Sequence, residues 1–301
     1  MFKAIFVIIG TIIGAGFASG KEIFTFFNLY GMWGFLGLVI AELIIGFVLY
    51  KVFCIILGYD VTSYNELIEN LFGKTNFATN VLCNIINIFL LVSFIVMVAG
   101  FAAYFSQEYA LPYFFGAFII VKVNSFFIPC LIIVIVILGL KNVNCFVEGT
   151  NMPIDFNYKF IISSVLYASY NLIIALPILI TLKKYVVNYK QAKFVSFVTM
   201  LLLLFMSIII FLLLNYYFTE IINLELPTVY IATKFGLIYK YICGILILGA
   251  IFTTAISNGY SFLNNLNFTS RKNYIITAVL ICFSSIVFSH IGFATLLNLL
   301  Y

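Results

Sequence analysis

Gly10-Thr11-Ile12-Ile13-Gly14-Ala15-Gly16-Phe17-Ala18-Ser19-Gly20 places four glycines in eleven residues, within an apolar run that extends from Ala4 to Leu29. Each glycine weakens a helix by roughly 1 kcal/mol relative to alanine, so the stretch reads as a helix break near the middle of a membrane span. Unwound backbone at that depth is tolerated only where it faces protein or a water-filled cavity, and there its freed carbonyls and amides can bind an ion or a polar solute. Gly10, Gly14 and Gly16 would also make a small-residue packing face between helices. Taken alone, the stretch allows either reading.

The chain around it has 301 residues, 65% hydrophobic and 8% charged, against roughly 25% charged in soluble domains. That excludes a soluble globular protein. Residues 75–107, 160–182, 194–219, 241–270 and 273–301 contain no Asp, Glu, Lys or Arg. Each run reaches the roughly 20 residues that cross a bilayer as a helix. A transmembrane β-barrel would alternate apolar with polar residues, whereas Leu201–Leu214 shows no period-two alternation. The fold class is an all-α polytopic membrane protein, expected as a single transmembrane domain over 1–301. The net charge of +5 is spread over short loops, so it reports orientation and not nucleic-acid binding. Cys54, Cys83, Cys130, Cys145, Cys243 and Cys282 form no C-x-x-C pair, and neither disulfides nor a metal site is read from them. The start of the chain could pass for a signal peptide, but apolar character resumes at Ile23, so an uncleaved first span is expected.

The expected spans are 4–29, 32–57, 78–107, 159–182, 194–217, 237–262 and 273–299. Lys183, Lys184, Lys190 and Lys193 form an acid-free loop, and Arg271-Lys272 lies two crossings later; both should be cytoplasmic. Counting from a cytoplasmic Lys3, Glu108 lies outside. Span 159–182 ends at the lysines and therefore begins outside, so residues 109–158 cross twice or not at all. Pro112, Lys122 and Pro129 interrupt that region, which predicts a half-length helix near 109–121, a turn at Lys122 and a return near 125–140. About nine membrane segments result, with the N-terminus cytoplasmic and the C-terminus outside.

Span 159–182 carries Ser163, Ser164, Tyr167, Ser169, Tyr170 and Asn171 before Pro177, a second candidate discontinuity. The two interrupted spans are the first and the sixth and begin on opposite sides. This is the topology of an inverted repeat, with a first repeat over 1–140 and a second, incomplete, over 159–301. Lys21 and Glu22 follow the glycines directly, either as gating or proton-coupling residues or as a pair that caps the span. Glu42 lies near the centre of the second span, where it is either a proton-coupling residue or a protonated carboxyl hydrogen-bonded within the bundle. Thr253 and Thr254 could offer hydroxyl oxygens to a cation such as Na⁺ or bond back to their own helix. His290 is either a satisfied core residue or a proton relay.

Gly10 to Ile23 resembles the first-helix signature of the YkvI family of bacterial membrane proteins. The similarity continues through Tyr167-Ala168-Ser169-Tyr170-Asn171, Phe252-Thr253-Thr254-Ala255 and Gly292-Phe293-Ala294, and so covers most of the chain. That family looks like a branch of the amino acid-polyamine-organocation superfamily with the LeuT-type inverted-repeat fold, in which helices 1 and 6 are unwound. The resemblance implies a substrate site at Gly14, Ala15, Gly16, Phe17, Ala18, Ser19, Tyr167, Ser169, Tyr170 and Asn171. It also implies a sodium site at Gly10, Ile13, Thr253 and Thr254. Against the pattern, the fourth helix is shortened and the tenth is missing.

The expectation is a secondary active transporter of a small polar solute, an amino acid or a relative, working by alternating access coupled to Na⁺ or H⁺. Half-helix N-termini at the break would favour a substrate carboxylate. The alternatives are a ligand sensor resembling the spore germinant receptor B-subunits and a degenerate membrane protein without transport. No H-E-x-x-H or G-x-S-x-G motif occurs, so an enzyme is not expected. No cofactor is expected beyond the coupling ion, and the partners are the small-molecule substrate and the lipid bilayer, in a bacterial cell membrane.

Overall fold

The computed structural model describes residues 1–61, 64–73, 77–109, 127–141, 156–266, 270–289 and 295–296. Among the described residues the regular structure is all helical. Residues without charges or turn signals cannot leave their amides unpaired in hydrocarbon, and a helix satisfies them within one segment.

The chain begins with α1 (Phe2–Ile12), a single turn α2 (Ala15–Ala18) and α3 (Lys21–Phe26), followed by a 3₁₀ turn at Asn28–Tyr30 and α4 (Gly31–Gly58). After α5 (Tyr64–Phe72) come α6 (Phe77–Tyr109) and α7 (Phe127–Lys141). The second half holds α8 (Lys159–Thr181), α9 (Tyr189–Tyr216), the short α10 (Phe218–Ile221) and α11 (Pro227–Thr233), then α12 (Leu237–Asn265) and α13 (Arg271–Ser289). Among the described residues, six stretches are long and apolar enough to cross a membrane: 21–58, 79–101, 159–185, 189–216, 237–263 and 271–288. The protein is therefore a multi-pass membrane protein.

The first expected span is divided into pieces of 11, 4 and 6 residues. Of the expected short pair, the return limb is α7, and the limb near 109–121 with its turn at Lys122 lies outside the described residues, as does His290. The discontinuity expected in the span 159–182 is not observed, because α8 runs unbroken through Pro177. Proline removes one amide donor and crowds the carbonyl four residues before it, yet the helix continues past Pro177 to Thr181. Helix α9 starts five residues before the expected boundary because Asn188 caps it. The Asn188 side chain accepts from the Gln191 amide at 2.8 Å, and Gln191 accepts from the Val187 amide at 3.0 Å.

Helix α1 is the centre of the bundle. Its buried residues run from Ala4 through Ile5, Ile8 and Ile9 to Ile12, and it packs against α8, α9 and α12. Helix α4 buries Gly34, Leu38, Ala41, Ile45 and Leu49 on one face while Met32, Leu36, Leu43 and Phe47 stay exposed. Apolar residues all round the helix serve protein on one side and lipid on the other. A Cβ added at Gly37 would lie 2.8 Å from Ser164 Oγ, and one at Gly46 would lie 2.8 Å from Met200. These two glycines let α8 and α9 close on α4. Helix α13 stands at the edge, with Ile276, Leu280, Phe283 and Val287 exposed.

Candidate functional site

The helix leaves α-geometry at Ile13, where ψ is 83°. The Gly14 amide bonds to Ile12 O at 2.9 Å and so does not pair with Gly10 O, its regular helical acceptor. Across the bundle, Thr254 Oγ1 on α12 lies 3.4 Å from Gly10 O and 3.3 Å from Ile13 O. Three of the four expected ion ligands therefore meet at the break. The side chains of Thr253 and Ala15 lie outside the described ones. Two carbonyl oxygens and a hydroxyl oxygen are the donor type a hard cation takes.

A second break follows at Ser19-Gly20. Gly20 has φ 77°, and a Cβ there would also stand 3.0 Å from Thr228 Cγ2, so glycine is required on both counts. Ser19 Oγ donates to Gly16 O at 3.1 Å. Thr228 on α11 closes this break from the other side: its amide donates to Ser19 O at 3.0 Å and its hydroxyl to Ala18 O at 2.8 Å. Phe17 and Ala18 are packed in the core.

Between the breaks, α8 and α6 enclose a small cavity bordered by Gly14, Glu22, Ser93, Met97, Tyr170 and Thr254. Its volume of about 10 Å³ holds roughly one water molecule, so in this conformation it has no room for a larger solute. Glu22 is 4% exposed, and Tyr170 Oη donates to its Oε2. Tyr167 is fully buried and packs edge-on to Phe26, Phe27 and Tyr170, with ring centroids 5.4, 5.0 and 5.6 Å away. Asn171 borders the cavity and its Nδ2 donates to Tyr167 O at 3.0 Å. Ser169 is exposed on another face of α8 and stands outside this group.

Lys21 and Glu22 each reach a residue far away in the chain. Lys21 Nζ reaches Leu224 O at 2.9 Å, while Glu22 turns inward to Tyr170. Glu42 is remote from the break in sequence and buried on α4, where Ser207 Oγ donates to its Oε1 at 2.8 Å. Several contributors were not singled out from sequence. Asn258 Nδ2 donates to Ser93 Oγ at 2.7 Å, and Asn28 Nδ2 donates to Asn215 Oδ1 at 2.6 Å and to Phe211 O at 2.9 Å. The signal available for them was a polar side chain within a charge-free apolar run.

No protein-family model matches the chain. The chain is similar to the uncharacterized membrane protein YkvI of Bacillus subtilis (strain 168), with 26% identity over 320 residues, covering 98% of this chain and 89% of that protein. The likeness supports the YkvI resemblance read from the first helix.

Proposed function

We propose that this YkvI-like membrane protein is a secondary active transporter of a small polar solute, an amino acid or a relative, with a LeuT-like inverted-repeat bundle. The observation that carries the reading is the approach of Thr254 Oγ1 to Gly10 O and Ile13 O at the interrupted first helix. A break in the most central helix, with its carbonyls facing a hydroxyl of another helix, is how membrane carriers build an ion site without charged ligands. Contacts between the halves are extensive: α1 and α4 each pack on both α8 and α9, and α6 packs on α12. The substrate would lie beside Gly14, Tyr170 and Asn171, with Na⁺ or H⁺ as the coupling ion, in a bacterial cell membrane with the N-terminus cytoplasmic.

The small cavity fits a carrier that works by alternating access, in which a solute larger than water enters only after a bordering helix moves. Counterflow in proteoliposomes tests the reading, with a high internal pool of mixed amino acids and labelled external amino acids, with and without Na⁺. Transient accumulation is expected, and Gly14→Leu should abolish it, since a Cβ at Gly14 already stands 3.3 Å from the Met97 Sδ and Cε atoms and 3.4 Å from Thr254 Cγ2. Undiminished accumulation in that variant removes the pocket assignment. A ligand sensor is the second reading, favoured by the unbroken α8; saturable amino-acid binding with no counterflow selects it.

A further inference from the structure

The sequence reading gave the break to a substrate carboxylate, but that place is held by the protein's own acid. Glu22 stands against Gly16 so closely that a Cβ on Gly16 would overlap its Oε1, Cγ and Cδ atoms. Its carboxyl lines the central cavity together with Tyr170, whose hydroxyl donates to it. Glu22 is the single charged residue among the described residues that border the cavity. The nearest lysine in sequence, Lys21, points away to Leu224 O.

Two other polar groups at the cavity, Thr11 and Thr254, have their hydroxyl protons directed at carbonyls and so keep acceptor lone pairs. Thr11 Oγ1 donates to Val7 O at 2.9 Å, Thr254 Oγ1 is directed at two carbonyls, and Ser93 Oγ accepts from Asn258. Tyr170, which holds Glu22, is an aromatic ring at the cavity, and aromatic faces attract positive charge. The short turns α2 and α3 bring four and six residues of aligned peptide dipole, and Glu22 already sits in the first turn of α3, where that dipole favours an anion. A second carboxylate there would meet like charge in a low-dielectric interior.

Resting on the carrier reading and deepening it, we propose that the cavity binds its solute by an ammonium group, with Glu22 as counter-ion and Tyr170 as the donor that the incoming group displaces. The substrate class is small primary amines, and amino acids held by their amino end. Simple carboxylates are excluded.

The test uses the purified full chain in detergent and reads the ligand-induced rise in the thermal unfolding midpoint. Three matched series are compared in NaCl: alanine and leucine, their decarboxylated amines ethylamine and isopentylamine, and their deaminated acids propionate and 4-methylpentanoate. The amines and amino acids should raise the midpoint and the acids should not. Glu22→Gln should weaken the amine response roughly ten- to a hundredfold in apparent Kd, the effect of losing a hydrogen bond to a charged group. Tyr170→Phe keeps Glu22 and removes its competing donor, so amine affinity should hold or rise; this variant decides the matter if Glu22→Gln does not fold. Stabilisation by the acids but not the amines overturns the proposal and leaves the carrier reading standing. Loss of amine binding in Tyr170→Phe also overturns it. No response to any of the three series removes the amino-acid carrier reading and this inference together.

Discussion

Glu42 shows how one residue can be separated into a packing role and a coupling role. It is 1% exposed, its Oε1 accepts from Ser207, and its Oε2 has no hydrogen-bond partner among the described residues. An ionised carboxylate held by one donor away from water is costly. Glutamine keeps the shape and the acceptor. Glu42→Gln is therefore expected to retain the thermal unfolding midpoint, whereas Glu42→Ala should lose about 1 to 3 kcal/mol through an unfilled site on the α4–α9 contact. The same pair assigns function: if Glu42 carries the coupling proton, Glu42→Gln abolishes solute accumulation driven by a proton gradient while the midpoint stays put. Undiminished proton-driven accumulation in a stable Glu42→Gln protein assigns the residue to packing.

Among the elements, the interrupted first helix depends on neighbours that lie far away in the chain. Thr228 on α11 is 210 residues from Ala18, yet its hydroxyl satisfies the carbonyl that the second break leaves free. Thr228→Val retains size and removes that donor, at an expected cost of about 1 to 3 kcal/mol for a buried acceptor left unpaired. Amide hydrogen exchange should accelerate in α2, α3 and α11 and stay unchanged in α9; uniform acceleration would place Thr228 in global packing instead. The long helices were legible in the sequence because charge-free apolar runs have one solution in a bilayer, and the end of α1 at Ile12 falls within the glycine run that announced it. The continuity of α8 was not legible, because Pro177 and a cluster of polar residues look the same whether their donors are satisfied within the helix or across the bundle. Nor was the direction of Glu22. Sequence proximity suggested Lys21, whereas the observed partner, Tyr170, is 148 residues away and was placed there by packing of α3 on α8.

At the scale of the whole molecule, the proposed carrier needs its two halves to run oppositely through the membrane, and α9 gives the clearest check. Its 28 residues rise about 42 Å, more than the roughly 30 Å hydrocarbon core, so its two ends belong on opposite sides. Lys183 and Lys184 precede it, Lys190 and Lys193 lie at its start, and α10 and α11 follow it. Lysine-rich short loops remain in the cytoplasm, and the later connection is held together independently, since Glu220 accepts from Tyr230 Oη and Lys234 Nζ, both at 2.7 Å. That lysine and tyrosine hold the Glu220 carboxyl below its usual range. In a variant with its native cysteines replaced by alanine, single cysteines at the exposed positions Lys190 and Thr233 report the two sides. A membrane-impermeant maleimide applied to intact cells should label Thr233→Cys and reach Lys190→Cys only after permeabilisation. Labelling of both from outside removes the single crossing of α9, and the reversed pattern inverts the orientation.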